Sequence, residues 1–264
     1  MRRSLLALAL LASLSACQKA ESPTAPADAG TAAVASAEAD AAFTALAQRA
    51  LDTWFQLSPV SATQIGEHRY DDLIDDLSAE GRQKGAEATR KLLAELEAMD
   101  VSQLSRENQV DAAILRNQLQ YDLWSNDVLQ AWAWDPQVYS NLAGSAIYGL
   151  MAREFAPLPQ RLKSATARME KVPTVLAQAR ANLDPARVPK IHAETVARQN
   201  AGILSIVETF ITPHLGELEE ADRKQAETAI AGLKQAVAEH QEWLDRTLVP
   251  NAKGDFRIGA ELYD

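Results

Sequence analysis

The chain has 264 residues, 47% of them hydrophobic, with 11 glycines and a formal net charge of −10. Such a length and apolar share permit a sizeable core, and the scarcity of glycine and aromatic residues argues against a β-sandwich or a collagen-like chain. An acidic chain lacks the basic footprint that phosphate binding needs, so no nucleic acid is expected as a partner.

The chain opens with Met1-Arg2-Arg3, a positive start, followed by a short apolar run from Leu5 to Leu14. That run is too short to span a bilayer and has the form of a secretory signal. It ends Leu14-Ser15-Ala16-Cys17, which resembles a bacterial lipobox, and Cys17 is the one cysteine of the chain. Residues 1–16 are therefore expected to be a lipoprotein signal peptide, with Cys17 the lipid attachment site and the membrane a partner through that anchor. Gln18 follows the cysteine where aspartate would resemble an inner-membrane retention signal. The expected location is the cell envelope, at the outer membrane facing the periplasm. Residues 17–37, rich in Ala, Ser, Thr and Pro, read as a flexible, disordered tether.

From Glu38 the apolar period becomes 3.6, and residues 38–264 are expected to form one helical domain. Phe43, Leu46, Ala50, Leu51, Trp54 and Phe55 share one helix face. Ser58-Pro59 predicts an N-cap and first helical residue, with Gly66 closing that short helix. Ser78 caps a helix reaching about Met99, and Ser105 caps the next. That second helix has two apolar stripes: Val110, Ala113, Ile114, Tyr121, Trp124 and Val128 on one side, and Leu115, Leu119 and Leu123 on the other. Two stripes predict a central helix. Asp135-Pro136, Pro159 and Pro173 mark three further helix starts. A helix from about Pro189 to Ile211 follows, then one from Asp222 to about Leu248. Phe256-Arg257-Ile258 is a short extended candidate. The fold class is all-α: an array of eight or nine mostly antiparallel helices behind a tether. Its expected core includes Trp54, Tyr121, Trp124, Leu150, Leu162, Leu176, Val207 and Leu233.

No complete catalytic motif is present. His68, His192, His214 and His240 are the four histidines, and none lies four residues from another, the spacing that puts two imidazoles on one helical face. Asp71, Asp72, Asp75 and Asp76 do not follow the calcium-loop pattern and read as a solvated acidic turn. Trp132 and Trp134 fit a seal at one end of a core better than a sugar platform. Charge distribution is more informative. Residues 153–190 carry eight cations against three acids, and residues 38–80 carry nine acids against two cations. The basic face is expected to meet acidic partners within the protein, with Arg153, Arg161 and Arg168 opposite the turn that holds Asp71 and Asp72. These five residues form the candidate polar surface.

Four pieces carry a family resemblance: Ser58-Pro59-Val60-Ser61-Ala62-Thr63 with Gly66-Glu67-His68-Arg69-Tyr70-Asp71; Arg161-Leu162 with Ala167-Arg168-Met169 and Val172-Pro173; Ala181-Asn182-Leu183; and Gly254-Asp255-Phe256-Arg257-Ile258-Gly259. In this order they resemble the bacterial proteins of the domain of unknown function 885 family. Such proteins are similar to zincin-like zinc metallopeptidases, and the resemblance implies a His/Glu metal motif in a C-terminal half. That motif does not occur here, so no catalytic residue, metal ligand or cofactor is assigned to this chain. The chain is expected to be the N-terminal helical half of such a protein, inactive alone, with the C-terminal half or a peptide substrate as partner. The alternative is a non-enzymatic envelope lipoprotein that binds a partner through its helical surface.

Overall fold

A computed structural model describes the backbone of residues 28–263 and the side chains from Ser36 onward. Cys17 and the proposed signal peptide lie outside the described residues. Nine helices of nine residues or more are present among the described residues, with no strand. The expected extended piece at 256–258 does not pair; an isolated parallel bridge joins Pro189 and Gly254 instead.

The first helix, α1 (Asp28–Leu57), already covers residues 28–37, which were expected to belong to the tether. α2 (Pro59–Ile65) leads into an irregular loop, 66–77. α3 (Ala79–Glu97) and α4 (Arg106–Trp124) follow, and a π-helical turn (Ser125–Leu129) extends α4. α5 (Ala131–Trp134) is one turn long. The larger body contains α6 (Gln137–Met151), α7 (Leu158–Met169), α8 (Val172–Asn182), α9 (Lys190–Gln199), α10 (Gly202–Phe210) and α11 (Glu220–Trp243). A second π-helical turn (Leu244–Leu248), α12 (Val249–Asn251) and α13 (Ala260–Tyr263) end the described chain.

Local chemistry accounts for several boundaries. Gly66 adopts φ 96°, the left-handed region glycine tolerates, and its N–H returns to Thr63 O while Glu67 N–H reaches Ala62 O. This pair of bonds is a Schellman stop, as the sequence predicts. Ser58 sits at the N-cap of α2, but its hydroxyl makes no capping bond. Asp75 supplies the acceptor instead, its Oδ2 taking the Val60 N–H at 3.1 Å. Ser78 and Ser105 do cap their helices, accepting from Gly81 N and Asn108 N. Gly81, which weakens a helix by propensity, is required by space: a Cβ there would collide with the backbone and carboxylate of Asp76.

Three apolar clusters hold the array together. Phe43, Leu46 and Ala50 of α1 meet Leu92 and Leu96 of α3 and Ala112 and Leu119 of α4. Ile147, Leu150, Leu162, Met169, Val207 and Leu233 belong to the largest cluster, built from α6, α7, α8, α10 and α11. Tyr139, Val175, Ala179, Val196, Leu244 and Leu248 make the third. α8 joins the last two: Val172 and Leu176 face one cluster, Val175 and Ala179 the other. Each pair is one helical turn apart and so shares a face.

Five of the eight expected core residues, Leu150, Leu162, Leu176, Val207 and Leu233, are buried. Tyr121 and Trp54 are 52% and 36% exposed and Trp124 is half-buried, so these three are corrected. α4 is an outer helix, not a central one. It packs through Ala112, Leu115 and Leu119, and the stripe of Val110, Ile114 and Tyr121 faces outward. Trp54 lies beyond the Phe43–Ala50 seam and borders a cleft between α1, α3 and α4. The helix expected over 189–211 is two helices, α9 and α10. At the break Asn200 turns its buried amide onto Val237 O and Gln241 Oε1, both at 3.0 Å. This contact pins the junction of the two helices to α11.

Candidate functional site

The densest polar arrangement lies where α2 and the 66–77 loop cross α6 and α7. Its centre is Arg168, on the inward face of α7 and wholly buried. Its Nε donates to Leu73 O at 2.7 Å and its Nη1 to Ala146 O at 3.1 Å. Its Nη2 faces Pro59 O, Thr63 Oγ1 and Tyr70 O at 3.1, 2.7 and 3.3 Å. The planar fork thus ties three separate stretches of chain to α7. No carboxylate bonds it directly. Burial draws its pKa down to about 10, and Asp71, Asp75 and Asp72 oppose that shift, so it stays a cation at neutral pH.

From the guanidinium a chain of bonds runs outward. Thr63 Oγ1 accepts from Arg168 and has one proton to give. Asp71 Oδ1 at 2.6 Å is the charged and nearer acceptor, against Pro59 O at 3.1 Å, so the proton goes to Asp71. Asp71 Oδ2 then holds His68 Nδ1 at 3.0 Å. The His68 ring stacks on Phe155, with centroids 3.7 Å apart and planes at 8°. Its side chain is 33% exposed, and its Nε2 is left for solvent or a ligand. An imidazole oriented by a buried carboxylate can pass a proton or donate a hydrogen bond at Nε2. No nucleophile adjoins it in this arrangement. Burial raises the Asp75 carboxyl to about 6 even though it accepts the Val60 N–H.

The expected polar surface is rearranged. Arg161, Arg168 and Asp71 are buried. Arg161 caps the end of α6 from within, its Nε on Ala156 O and Nη1 on Met151 O, with no carboxylate partner. Arg153 is exposed and donates to Gln64 O. Lys171 reaches the backbone O of Asp72 at 3.0 Å. The basic stretch does meet the acidic turn, but through its carbonyls. Lys163 pairs elsewhere, with Asp222 at 2.7 Å. Phe155 was not singled out in the sequence; Thr63 entered only within a family-resemblance piece, His68 as a histidine without a helical partner and Asp75 as part of a solvated acidic turn. The one available signal was Asp75 lying one helix and one loop after Pro59.

His240 is a second buried titratable group. Its Nδ1 makes no hydrogen bond to a described residue, and burial, with Arg180 beside it, lowers its pKa to about 4. Its neutral form is favoured by folding. Its contribution is therefore whole above the usual histidine value near 6.5 and is lost as pH falls towards 4, a loss of about 3 kcal/mol. Asp75 has the opposite sign: its pKa is raised on folding, so its contribution is whole below about 3.9 and is lost as pH rises through 6. The two offset each other between these limits. His240→Phe should leave a stability that falls as pH rises from 4 to 6, and Asp75→Asn one that falls as pH drops over the same range. Urea midpoints at four pH values check this; parallel profiles for both variants would refute it.

The family described as "Bacterial protein of unknown function (DUF885)" matches residues 59–264, from the first residue of α2 through the whole Arg168 arrangement. The chain belongs to the DUF885 family. No curated protein matches it. A solved structure described as "a putative lipoprotein of unknown function" from Shewanella oneidensis superposes with a TM-score of 0.77 at 29% identity. The match covers 84% of this chain and 41% of that one, so this DUF885 chain spans less than half the length of that relative. The zinc that the resemblance implies for full-length DUF885 proteins finds no fit here. Among the described residues, no three His, Cys, Asp or Glu side chains converge as a metal site.

Proposed function

We propose that this chain is the helical, non-catalytic part of a peptidase-like cell-envelope lipoprotein, and that it works by docking a second body on its outer helix faces. The observation that carries the reading is the outward stripe of α4. Val110, Ile114, Tyr121 and Val128 are 43, 63, 52 and 49% exposed. With half-buried Trp124 they repeat at the first and fourth places of a heptad, the pattern one helix uses to receive another. An apolar stripe of this length left in water marks an interaction face. The match to 41% of a longer relative supports a second body beyond this helical part, and the family resemblance would place the metal and the catalytic base there. The same stripe supports a second reading, a non-enzymatic lipoprotein that binds a partner protein. On either reading the chain should bind a hydrophobic dye. Ile114→Lys with Tyr121→Lys should cut that signal by more than half without changing the urea midpoint, because neither side chain is in the core. An unchanged dye signal would remove the stripe from the account.

The envelope location is supported by the relative described as a lipoprotein and by the lipobox-like Leu14-Ser15-Ala16-Cys17. Acyl chains on Cys17 would anchor the domain at the outer membrane, facing the periplasm, since each buried CH₂ contributes roughly 0.8 kcal/mol. Cys17→Ser should abolish fatty-acid labelling and shift the protein to the soluble fraction. Labelling that persists in this variant would exclude the anchor.

A further inference from the structure

We infer that the cleft between the α4–α5 junction and the C-terminal segment binds a carboxylate carried on an apolar body, as at the C-terminus of a peptide. The cleft has a volume of about 400 Å³, and the rings of Trp134 and Phe256 line it. Arg187, Lys253 and Arg257 line it too, with Asp255 the one acid. That is a local excess of positive charge on a chain whose net charge is −10. Arg257 is already engaged: its Nη1 lies 3.5 Å from Asp255 and its guanidinium stands over the Phe256 ring. Arg187 and Lys253 have no carboxylate partner among the described residues.

Both cations are mounted on fixed backbone. Lys253 N–H bonds Pro185 O at 3.1 Å and Gly254 N–H bonds Val188 O at 2.9 Å. The two segments lie so close that a Cβ on Gly254 would collide with the Arg187 backbone. Arg187 Nη1 is held by Gln130 Oε1 at 2.9 Å. Gln130 has φ 52°, and among the described residues it is the one non-glycine with positive φ. Strain of this kind persists where the surroundings hold it, and it gathers at binding sites. The Trp134 indole N–H is spent on Leu129 O, so the ring offers the cleft an apolar surface.

A guanidinium and an ammonium beside two rings match a carboxylate with an apolar side chain next to it. A lipid surface would be met by a protruding apolar patch, and here the rings line a concavity. The peptide class rests on the peptidase-like reading; the anionic site itself does not.

The test is calorimetric titration of the full chain with an N-acetylated tripeptide of two alanines and a terminal phenylalanine, as the free acid and as the amide. The free acid should bind at one site at least tenfold more tightly than the amide. Arg187→Gln with Lys253→Gln should bring it down to the amide's level. Lys253→Gln alone breaks no side-chain hydrogen bond and should weaken the acid threefold or more, which keeps the test valid if the double variant loosens the cleft. Equal affinity for acid and amide, no binding of either, or unchanged affinity in Lys253→Gln would overturn the proposal. So would binding to phosphatidylglycerol vesicles that these variants abolish while the peptide stays silent. Zinc does not enter this measurement, and of the α4 stripe only Val128 borders the cleft, whereas Ile114 and Tyr121, which test the docking reading, do not, so its failure is separable from failure of that reading.

Discussion

Replacing Arg168 with alanine should lower the stability of the domain by about 3–5 kcal/mol, the cost of removing one member of a buried charged network. Four carbonyls and the Thr63 hydroxyl lose their donor at once. Asp71, Asp72 and Asp75 lose the cation that balances them, two of them in a largely dry setting. In a domain of this size the expected fall in Tm is about 10 °C. Arg168→Lys should recover little, because a single ammonium cannot reach acceptors on α2, α6 and two parts of the 66–77 loop together. Arg153→Ala, which removes one exposed bond to Gln64 O, should stay within about 0.5 kcal/mol. Thermal unfolding of the three variants checks the ranking. A loss below about 1 kcal/mol for Arg168→Ala would mean that the loop is held by its other contacts, such as Leu77 N–H on Gln178 Oε1.

The helical class, the helix starts at Ser78 and Ser105 and the stop at Gly66 were legible because each rests on a residue's own backbone chemistry. The interior of α4 was not. Both its stripes are apolar, and which one turns inward depends on α1 and α3, which touch Ala112 and Leu119. No local pattern contains that choice. The junction at Asn200 was not legible for a similar reason: the acceptors that hold its side-chain amide, Val237 O and Gln241 Oε1, are on α11.

The polar centre was half legible. Counting charges brought the Arg153–Lys190 stretch towards the Asp71–Asp76 turn, and Arg168 does contact that loop. The count treated the turn as carboxylates, whereas the bonds go to Leu73 O and Tyr70 O. Backbone acceptors carry no sequence signature, so a wholly buried arginine looked like a surface one. His68 stood in a polar loop with no helical partner, and its bond to Asp71 depends on the turn geometry that Arg168 fixes.

On the proposed reading this chain supplies a docking platform and the metal chemistry belongs to another body. A catalytic zinc needs three protein ligands in fixed geometry, an open position for water and a base beside it. Three of the four histidines have separate surroundings as well as separate places in the sequence. His68 is held by Asp71 and stacked on Phe155, and His192 lies beside Asp135 and Trp134. His240 is buried against Trp243. The most direct measurement is the zinc content of the purified chain after dialysis against zinc, taken with hydrolysis of a mixed peptide library. Far less than one equivalent of bound zinc and no cleavage are expected. One equivalent of zinc, with cleavage that a chelator abolishes and zinc restores, would contradict this reading.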